Sequence, residues 1–425
     1  MKHEPVLQRL DNGVRVAVVP MPHMESVSLG LWTDVGSRHE TDKEHGMAHF
    51  IEHMLFKGTP TRTAAQISRE IEGLGSSIDG FTVEDHTGYQ AKAPAGKFEE
   101  IFAVMADFYR NPSIDPTDLE QERLVIHEEI AMVRDQPPQF IEDIISEATW
   151  GPDHALGRSI TGTNESLDQL KRGDVLDFYK RAYCGANTVV SVAGNIEPDR
   201  VFEIISREFE GLERGDGIPY QSAPEPLSEH RYEEVFEPEQ THVSLAFAGV
   251  KRNDPRRYAH KILDVILGEN MSSRLFQELR EERALCYEVQ SDLVSFSDGG
   301  LLQIYVALTT ENLNEALDGI TKVVSDLARD GVTERELETA KSFLIGQNQI
   351  SMENTASRMM WAGECLLFFD DWLDPEEVHR RIDAVTLEDV HLEAMRVFSG
   401  KQFASALIGP LEADGVLEDW RATVG

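Results

Sequence analysis

Short apolar stretches alternate along the chain with longer amphipathic ones, which predicts alternating strands and helices. The short stretches typical of strands are Val14–Val19, Thr188–Val192 and Leu302–Leu308. Stretches with a period near 3.6, typical of amphipathic helices, are Lys97–Tyr109, Asp168–Tyr183, Leu313–Asp330 and Thr333–Ser351. This order of elements predicts an α+β fold in which helices cover one face of each sheet.

The chain divides into two halves with similar patterns. The apolar stretch Val27–Trp32 is matched in type by Val243–Ala248, and each precedes a polar loop and then a helix. Between the halves, Gly211–Glu234 is rich in Gly, Pro, Ser and charged residues, which is typical of a linker. We therefore predict two similar α/β sandwich domains, each with a mainly antiparallel sheet. Their predicted bounds are 1–212 for the first domain, 213–232 for the linker and 233–425 for the second domain.

The composition is strongly acidic, with a formal net charge of −36 over 425 residues. Such a charge argues against nucleic acid and anionic membranes as partners, and it favours cationic peptides. The alternative is a solvated acidic exterior that contributes only solubility.

Cysteine usage and the N-terminal segment bear on the compartment. The chain has three widely separated cysteines, which fits a reducing compartment without a disulfide framework. The segment Met1–Pro5 shows neither an apolar signal core nor an amphipathic presequence, and no apolar run approaches membrane-spanning length. These features predict a cytoplasmic protein of bacterial type.

The segment His49-Phe50-Ile51-Glu52-His53 carries the clearest chemistry. Residues four apart lie one above the other on a helix, so His49 and His53 can offer ring nitrogens to one ion. Glu52 shares that face and can act as a general base towards a water activated by zinc. The order H-x-x-E-H is a metallopeptidase signature. The alternative is an amphipathic core helix with incidental histidines.

A catalytic zinc site needs a third protein ligand. Glu122 and Glu129 lie seven apart in a stretch with helical periodicity, so they share a face. One of them can bind the metal while the other orients a ligand histidine or the water. No P-loop, G-x-G-x-x-G, EF-hand or G-x-S-x-G pattern occurs, so nucleotide chemistry and serine hydrolysis have no support.

Several segments together resemble the pitrilysin family of zinc peptidases, which includes mitochondrial processing peptidase and insulin-degrading enzyme. The matching segments are Gly36–Arg38, Gly46–Thr59, Leu156–Arg158, Ala193–Asn195, Leu267–Arg274 and Leu275–Tyr287. The resemblance implies that His49, His53 and Glu129 bind one zinc ion per chain. It also implies that Glu52 is the general base. Glu122 would be a carboxylate that orients a ligand without binding the metal itself.

The same resemblance implies a role for the second half and for a partner chain. Arg280 and Tyr287 correspond to residues that bind substrate near the scissile bond, which argues for a catalytic subunit. Half-size chains of this family act in pairs that enclose the substrate, so it implies a homodimer or a heterodimer with an inactive homologue. In such pairs Arg280 and Tyr287 can act on the zinc site of the other chain.

The segment Asp79-Gly80-Phe81-Thr82 lies where similar proteins have Asn-Ala-Tyr/Phe-Thr on a strand that pairs with the substrate backbone. Asp79 in place of Asn removes an amide donor and adds a negative charge. The resemblance thus implies that residues 79–82 bind substrate, with different anchoring at Asp79.

We accordingly expect a zinc endopeptidase that cleaves unstructured peptides within a chamber formed by a dimer. A second hypothesis is a scaffold or substrate-binding subunit of a processing complex that depends on another chain for activity. A third is a metal hydrolase that acts on a bond other than a peptide bond, which the motif by itself allows.

Overall fold

A computed structural model describes residues 5–235, 239–400 and 402–424. Residues 1–4, which enter the prediction of compartment, lie outside the described residues. The strands are β1 (Val6–Arg9), β2 (Arg15–Pro20), β3 (Ser26–Thr33), β4 (Ser77–Thr82), β5 (Thr87–Pro94), β6 (Thr188–Gly194), β7 (His230–Glu234), β8 (Thr241–Ala248), β9 (Cys286–Ser295), β10 (Gly300–Leu308) and β11 (Ala404–Gly409).

The helices follow the same numbering along the chain. They are α1 (Met47–Leu55), α2 (Ala64–Gly73), α3 (Phe98–Arg110), α4 (Pro116–Arg134), α5 (Pro137–Trp150), α6 (Asn164–Gln169), α7 (Arg172–Ala182), α8 (Pro198–Glu208), α9 (Arg257–Asp264), α10 (Leu313–Asp330), α11 (Glu334–Ser351), α12 (Thr355–Phe369), α13 (Pro375–Ala384), α14 (Leu387–Phe398) and α15 (Leu411–Val424). Two π-helical turns, Val265–Glu269 and Phe276–Glu281, lie in the second half. None of these helices in the described ranges is long and apolar enough to cross a lipid bilayer.

The chain forms two units, each assembled from separate parts of the sequence. Unit 1 consists of Met1–Ala131, Ser159–Gln221 and Gln349–Leu373. Unit 2 consists of Met132–Arg158, Ser222–Asn348 and Asp374–Gly425. Residues 212–229, within the predicted linker region, form neither helix nor strand.

Each unit contains one mixed sheet, and the two sheets share a topology. The strand order is β1-β2-β6-β3-β5-β4 in unit 1 and β7-β11-β8-β10-β9 in unit 2. Each sheet has one parallel pair, β2 with β6 and β7 with β11, and its other pairs are antiparallel. The prediction of two similar α/β domains with mainly antiparallel sheets is confirmed.

The central strands of unit 1 carry apolar side chains on both faces, and helices cover both faces of the sheet. Val16 and Val18 of β2 face the main core with α1, α3 and α8, whereas Ala17 and Val19 belong to a second cluster. That second cluster also contains α12 residues such as Met359, Ala362 and Leu366. Strands buried on both faces are expected to be continuously apolar. Helix α12 thus adds a cover that the sequence pattern did not predict.

The close approach of α12 to the sheet depends on a glycine. A Cβ atom at Gly363 would lie 2.4 Å from the indole of Trp32, closer than such atoms can pack. The Trp32 ring is 1% exposed, and its Nε1–H donates a hydrogen bond of 2.8 Å to Ser191 Oγ. Gly363 therefore sets the distance at which α12 covers this face.

Unit 2 has the corresponding arrangement with α5. Ile141, Ile145 and Ala148 of α5 pack against Leu301 and Tyr305 of β10. The alternate β10 residues, including Leu302 and Ile304, face the main core of unit 2. Each sheet is therefore covered on its second face by a helix from the other half of the sequence.

The predicted helix Asp168–Tyr183 is interrupted in the structure. Helix α6 ends at Gln169, and α7 starts at Arg172 after Lys171, which is extended. The side chain of Asp174 accepts a hydrogen bond of 3.1 Å from the backbone N–H of Lys171 and so begins a new helix.

Candidate metal centre

Helix α1 begins with a cap supplied by a distant carboxylate. Gly46, just before the helix, has a φ of +89°. The carboxylate of Glu40 accepts hydrogen bonds from the backbone N–H groups of Gly46 at 2.8 Å and Ala48 at 2.7 Å. A negative charge there stabilises the helix N-terminus. The sequence analysis missed Glu40, since six residues separate it from the glycine and no local capping pattern marks it.

The periodicity of α1 separates its packing face from its chemical face. The residues that pack into the core of unit 1 are Met47, Ala48, Phe50, Ile51, Met54 and Leu55. On a helix, this spacing leaves His49, Glu52 and His53 together on another side.

His49, His53 and Glu129 form a compact group of possible metal ligands. One ligand atom from each residue lies within 4.8 Å of the others. The carboxylate oxygens of Glu129, on α4, lie 3.7 Å from His49 Nε2 and 3.5 Å from His53 Nε2. In the described part of the chain, this is the one such group of three or more His, Cys, Asp or Glu side chains.

The chemistry of this group fits zinc. Two imidazole nitrogens and one carboxylate make a set of three ligands that leaves a fourth position open, as catalytic zinc requires. Burial, together with the neighbouring His53, lowers the pKa of His49 to about 3, so its ring is neutral and can bind a cation.

Glu122, seven residues before Glu129, contacts the other ring nitrogen of His53. Its Oε2 accepts a hydrogen bond of 3.1 Å from His53 Nδ1, which leaves Nε2 as the nitrogen that faces Glu129. Its Oε1 lies 2.5 Å from Lys57 Nζ. Lys57 is four residues after His53, but α1 ends at Leu55, so helical spacing alone did not indicate this contact.

Glu52 lies beside the ligands and is held by the edge strand β4. The Thr82 hydroxyl donates a hydrogen bond of 2.7 Å to Glu52 Oε2. A Cβ atom at Gly80 would lie 3.0 Å from Glu52 Oε1, so a larger residue would crowd the carboxylate. Burial raises the pKa of Glu52 against the opposing hydrogen bond from Thr82. A raised pKa makes this carboxylate a stronger base.

The four predicted substrate-binding residues of β4 point to two faces. Gly80 and Thr82 face Glu52, as described above. Phe81 faces the other side, where its ring packs edge-on against Trp32 at 5.8 Å. Asp79 is exposed on the same side as Phe81. Among the described strands β4 pairs only with β5, so its outer edge is open to another strand.

Arg280 and Tyr287 lie together in unit 2. Arg280 belongs to the π-helical turn Phe276–Glu281, and Tyr287 lies on the edge strand β9. The Arg280 guanidinium lies 5.3 Å from the centre of the Tyr287 ring. Between them, Ala284 has an unusual φ of +49°. Tyr287 is 72% exposed, so its side chain is not part of the core of unit 2.

Comparisons with known proteins agree with this organisation. Residues 15–164 match a family model described as Insulinase (Peptidase family M16), and this range includes the group of His49, His53 and Glu129. Residues 169–344 match a model described as Peptidase M16 inactive domain. The uncharacterized zinc protease YmxG of Bacillus subtilis is 35% identical over 94% of this chain and 97% of its own length. An uncharacterized zinc protease of Mycobacterium tuberculosis is also 35% identical, over 98% of this chain and 96% of its own.

Solved structures share the fold. A peptidase M16 inactive domain from Pseudomonas fluorescens has a TM-score of 0.88 at 21% identity, covering 96% of this chain and 98% of that one. A protease from Helicobacter pylori has a TM-score of 0.89 at 20% identity, covering 96% and 99%. With relatives about a third identical over nearly its whole length, this chain belongs to peptidase family M16, in the half-size type whose relatives are named zinc proteases.

Proposed function

We propose that this chain is a zinc-dependent endopeptidase that hydrolyses unstructured peptides. One zinc ion per chain would be held by His49, His53 and Glu129. The observation that carries the proposal is the position of Glu52, a carboxylate of raised pKa beside this ligand group. A site that only bound metal would have no need of such a base.

In the proposed reaction, each residue of the site has a separate role in peptide hydrolysis. When bound, zinc supplies a positive charge that polarises the peptide carbonyl and lowers the pKa of water. Glu52 takes the proton from the attacking water and passes it to the amine of the leaving product. Thr82 holds the Glu52 carboxylate in place through its hydrogen bond of 2.7 Å. Glu122 orients the His53 ring through Nδ1.

The open edge of β4 is the proposed place for the substrate backbone. A peptide that pairs with β4 as an added strand would gain main-chain hydrogen bonds irrespective of its sequence. Such pairing requires an extended segment, so flexible peptides fit and folded proteins do not. Because Thr82 is hydrogen-bonded to Glu52 and Gly80 faces it, the paired segment would run beside the base.

We further propose that Arg280 and Tyr287 contact the substrate and stabilise negative charge that develops on its carbonyl oxygen. Their mutual contact and the exposure of Tyr287 support a binding role. Action as a homodimer, or as a heterodimer with an inactive homologue, and location in the cytoplasm stay predictions. That the chain has no nucleic acid or membrane partner also stays a prediction.

Cleavage of a fluorogenic peptide of about twenty residues by the purified chain, with its zinc content determined, tests the proposed function. We expect about one zinc per chain and steady cleavage, which a chelator abolishes and added zinc restores. Zinc without cleavage would favour the alternative of a scaffold subunit that depends on a partner. Cleavage that persists in the metal-free protein would contradict the proposal.

Asp79 suggests which peptides are preferred. It is exposed on the edge strand and forms no ion pair with any residue that the structure describes. In a strand paired with β4, the side chain directly opposite Asp79 would lie about 4.5–5.5 Å from it, within reach of a charge interaction. The net charge of −36 acts in the same direction over longer distances. We propose that the substrates are basic peptides, with Lys or Arg opposite Asp79.

Moving a single lysine along an otherwise uncharged peptide tests this preference. We expect one position at which lysine raises kcat/KM by about 1.4- to fivefold, the range for an opposite-charge pair across strands. Asp79→Asn should remove the gain, and Asp79→Lys should convert it into a preference for Glu. Asp199→Asn, an exposed change of the same charge on α8, should leave the profile unchanged. The same lysine preference in Asp79→Asn as in the parent would contradict the role of Asp79.

A further inference from the structure

Lys57 lies directly beyond α1 and is connected to a zinc ligand through one carboxylate. Its Nζ is 2.5 Å from Glu122 Oε1, while Glu122 Oε2 is 3.1 Å from His53 Nδ1. The Lys57 side chain is 33% exposed, but the Glu122 side chain is only 6% exposed. Lys57 therefore contacts a carboxylate that is itself nearly out of reach of water.

A buried carboxylate is stable only when its oxygens have partners. Glu122 has one partner on each oxygen, the Lys57 ammonium on Oε1 and the His53 ring on Oε2. If the ammonium were lost, Oε1 would be buried and uncompensated, and the carboxylate would turn towards water or another donor. The hydrogen bond to His53 would then be lost as well, because both oxygens belong to one rigid group.

The contacts between α1 and α4 follow a regular order along both helices. Glu129 lies next to His49 and His53, and Glu122 lies next to His53 and Lys57. His49 and His53 are one helical turn apart on α1, and Lys57 follows just after the helix ends at Leu55. Lys57 thus contacts the second carboxylate of α4 from a position beyond the end of the helix that supplies the two histidines.

Of the two histidines, only His53 has its ring held, within the described part of the chain, by a hydrogen bond from the nitrogen that faces away from the metal position. Its Nδ1 is held by Glu122, whereas the Nδ1 of His49 is buried with no hydrogen-bond partner among the residues that the structure describes. A fixed Nδ1 hydrogen bond sets both the ring orientation and the nitrogen that is free to bind metal.

We propose that Lys57 is a positioning residue for the zinc ligand His53, acting through Glu122. This inference rests on the proposed zinc site and adds the residue that holds Glu122 in its orientation. The direction in which zinc affinity changes when Lys57 is removed distinguishes two roles. If Lys57 acted only as a nearby positive charge that repels a cation, its removal would raise zinc affinity. If it positions Glu122, its removal lowers zinc affinity.

Zinc affinity of the purified full-length chain, measured by competition with a chromophoric chelator and without any peptide, tests the proposal. We expect Lys57→Met to weaken zinc binding by about 10–100-fold, the usual effect of losing support behind a metal ligand. Lys57→Arg keeps a cationic donor to the carboxylate and should stay within a few fold of the parent. Lys43→Met, the same substitution at an exposed lysine, should have no effect.

A double-mutant cycle separates positioning from a general structural role. In a Glu122→Gln chain, Lys57→Met should cause little further loss of zinc affinity, because Lys57 acts through Glu122. The melting temperature of each metal-free variant shows whether folding has changed. Independent losses that multiply, or unchanged or tighter zinc binding in Lys57→Met, would overturn the proposal.

The outcome also separates this proposal from the proposed function. A parent chain that binds zinc but cleaves no peptide would contradict the peptidase and leave the role of Lys57 measurable through affinity. A parent chain without measurable zinc affinity would contradict both. A parent that binds zinc and cleaves peptide, with Lys57→Met equal to it in affinity, would contradict the role of Lys57 alone.

Discussion

Replacing Glu52 by glutamine is expected to lower kcat for peptide cleavage by at least about 10²–10⁴-fold, the usual contribution of a general base. Glutamine keeps the size of the side chain and can still accept the hydrogen bond from Thr82, but it cannot take a proton from water. Zinc should stay bound, since Glu52 is not a member of the ligand group. The combination of retained metal and lost turnover separates a base from a ligand.

The measurement is cleavage of a fluorogenic peptide by the parent and by Glu52→Gln, with zinc determined in both. Glu128→Gln, which removes one exposed carboxylate from α4, is the matched control and should keep parental activity. Full activity in Glu52→Gln would exclude Glu52 as the base. Loss of both zinc and activity would mean that the carboxylate is needed to hold the metal.

The same variant tests whether Arg280 and Tyr287 serve the partner chain. If the chain forms the proposed dimer, mixing Glu52→Gln chains with Tyr287→Phe chains gives some dimers in which one intact base can face one intact tyrosine. Activity above that of either variant alone would support action between chains. No recovery would count against it, provided that an affinity tag on one variant retains the other and so shows that the two variants form mixed dimers.

Replacing Glu129 by glutamine is expected to weaken zinc binding by more than about 100-fold. The change removes the negative ligand of the group and leaves the two imidazoles of His49 and His53. Replacing a residue that hydrogen-bonds to a metal ligand lowers metal affinity by about 10–100-fold. Removing a charged ligand itself should lower zinc affinity by more. Activity should fall in parallel at limiting zinc, and excess zinc should restore part of it.

Chelator competition on the parent, Glu129→Gln and Glu128→Gln provides the measurement. Glu128 is the adjacent residue on α4 and is exposed, so it controls for charge and helix propensity. Equal zinc affinity in Glu129→Gln and the parent would exclude Glu129 as a ligand. Glu122 would then be the remaining carboxylate of α4 next to His53.

Local periodicity explains why much of the candidate site could be predicted from sequence. The spacing of four between His49 and His53, and of seven between Glu122 and Glu129, fixes which side chains share a helix face. The structure places these four side chains next to one another, as the spacing indicates. The strands of the central sheet were likewise visible in their apolar patterns, and the bounds of α10 match the prediction.

Contacts between distant segments carry no such local pattern. The cap that Glu40 provides for α1 depends on a loop that turns back on the helix, which neither a capping box nor periodicity reveals. The helices α5 and α12 look amphipathic or apolar in sequence, but nothing in their composition indicates which sheet each one covers. Long-range packing of this kind is decided by complementary shape, as at Gly363 and Trp32.

Helix α5 lies in the first half of the sequence but covers the sheet of unit 2, and α12 lies in the second half but covers the sheet of unit 1. Neither half of the chain therefore contains both helical layers of its own sheet. A fragment that ended in the segment 212–229 would retain α5 but lack α12, so the apolar face around Trp32 and Val19 would meet water. The complementary fragment would lack α5 and expose the face around Leu301 and Tyr305. Although the two halves have similar topologies, they are therefore interdependent in folding, and neither half is expected to fold stably when it is produced alone.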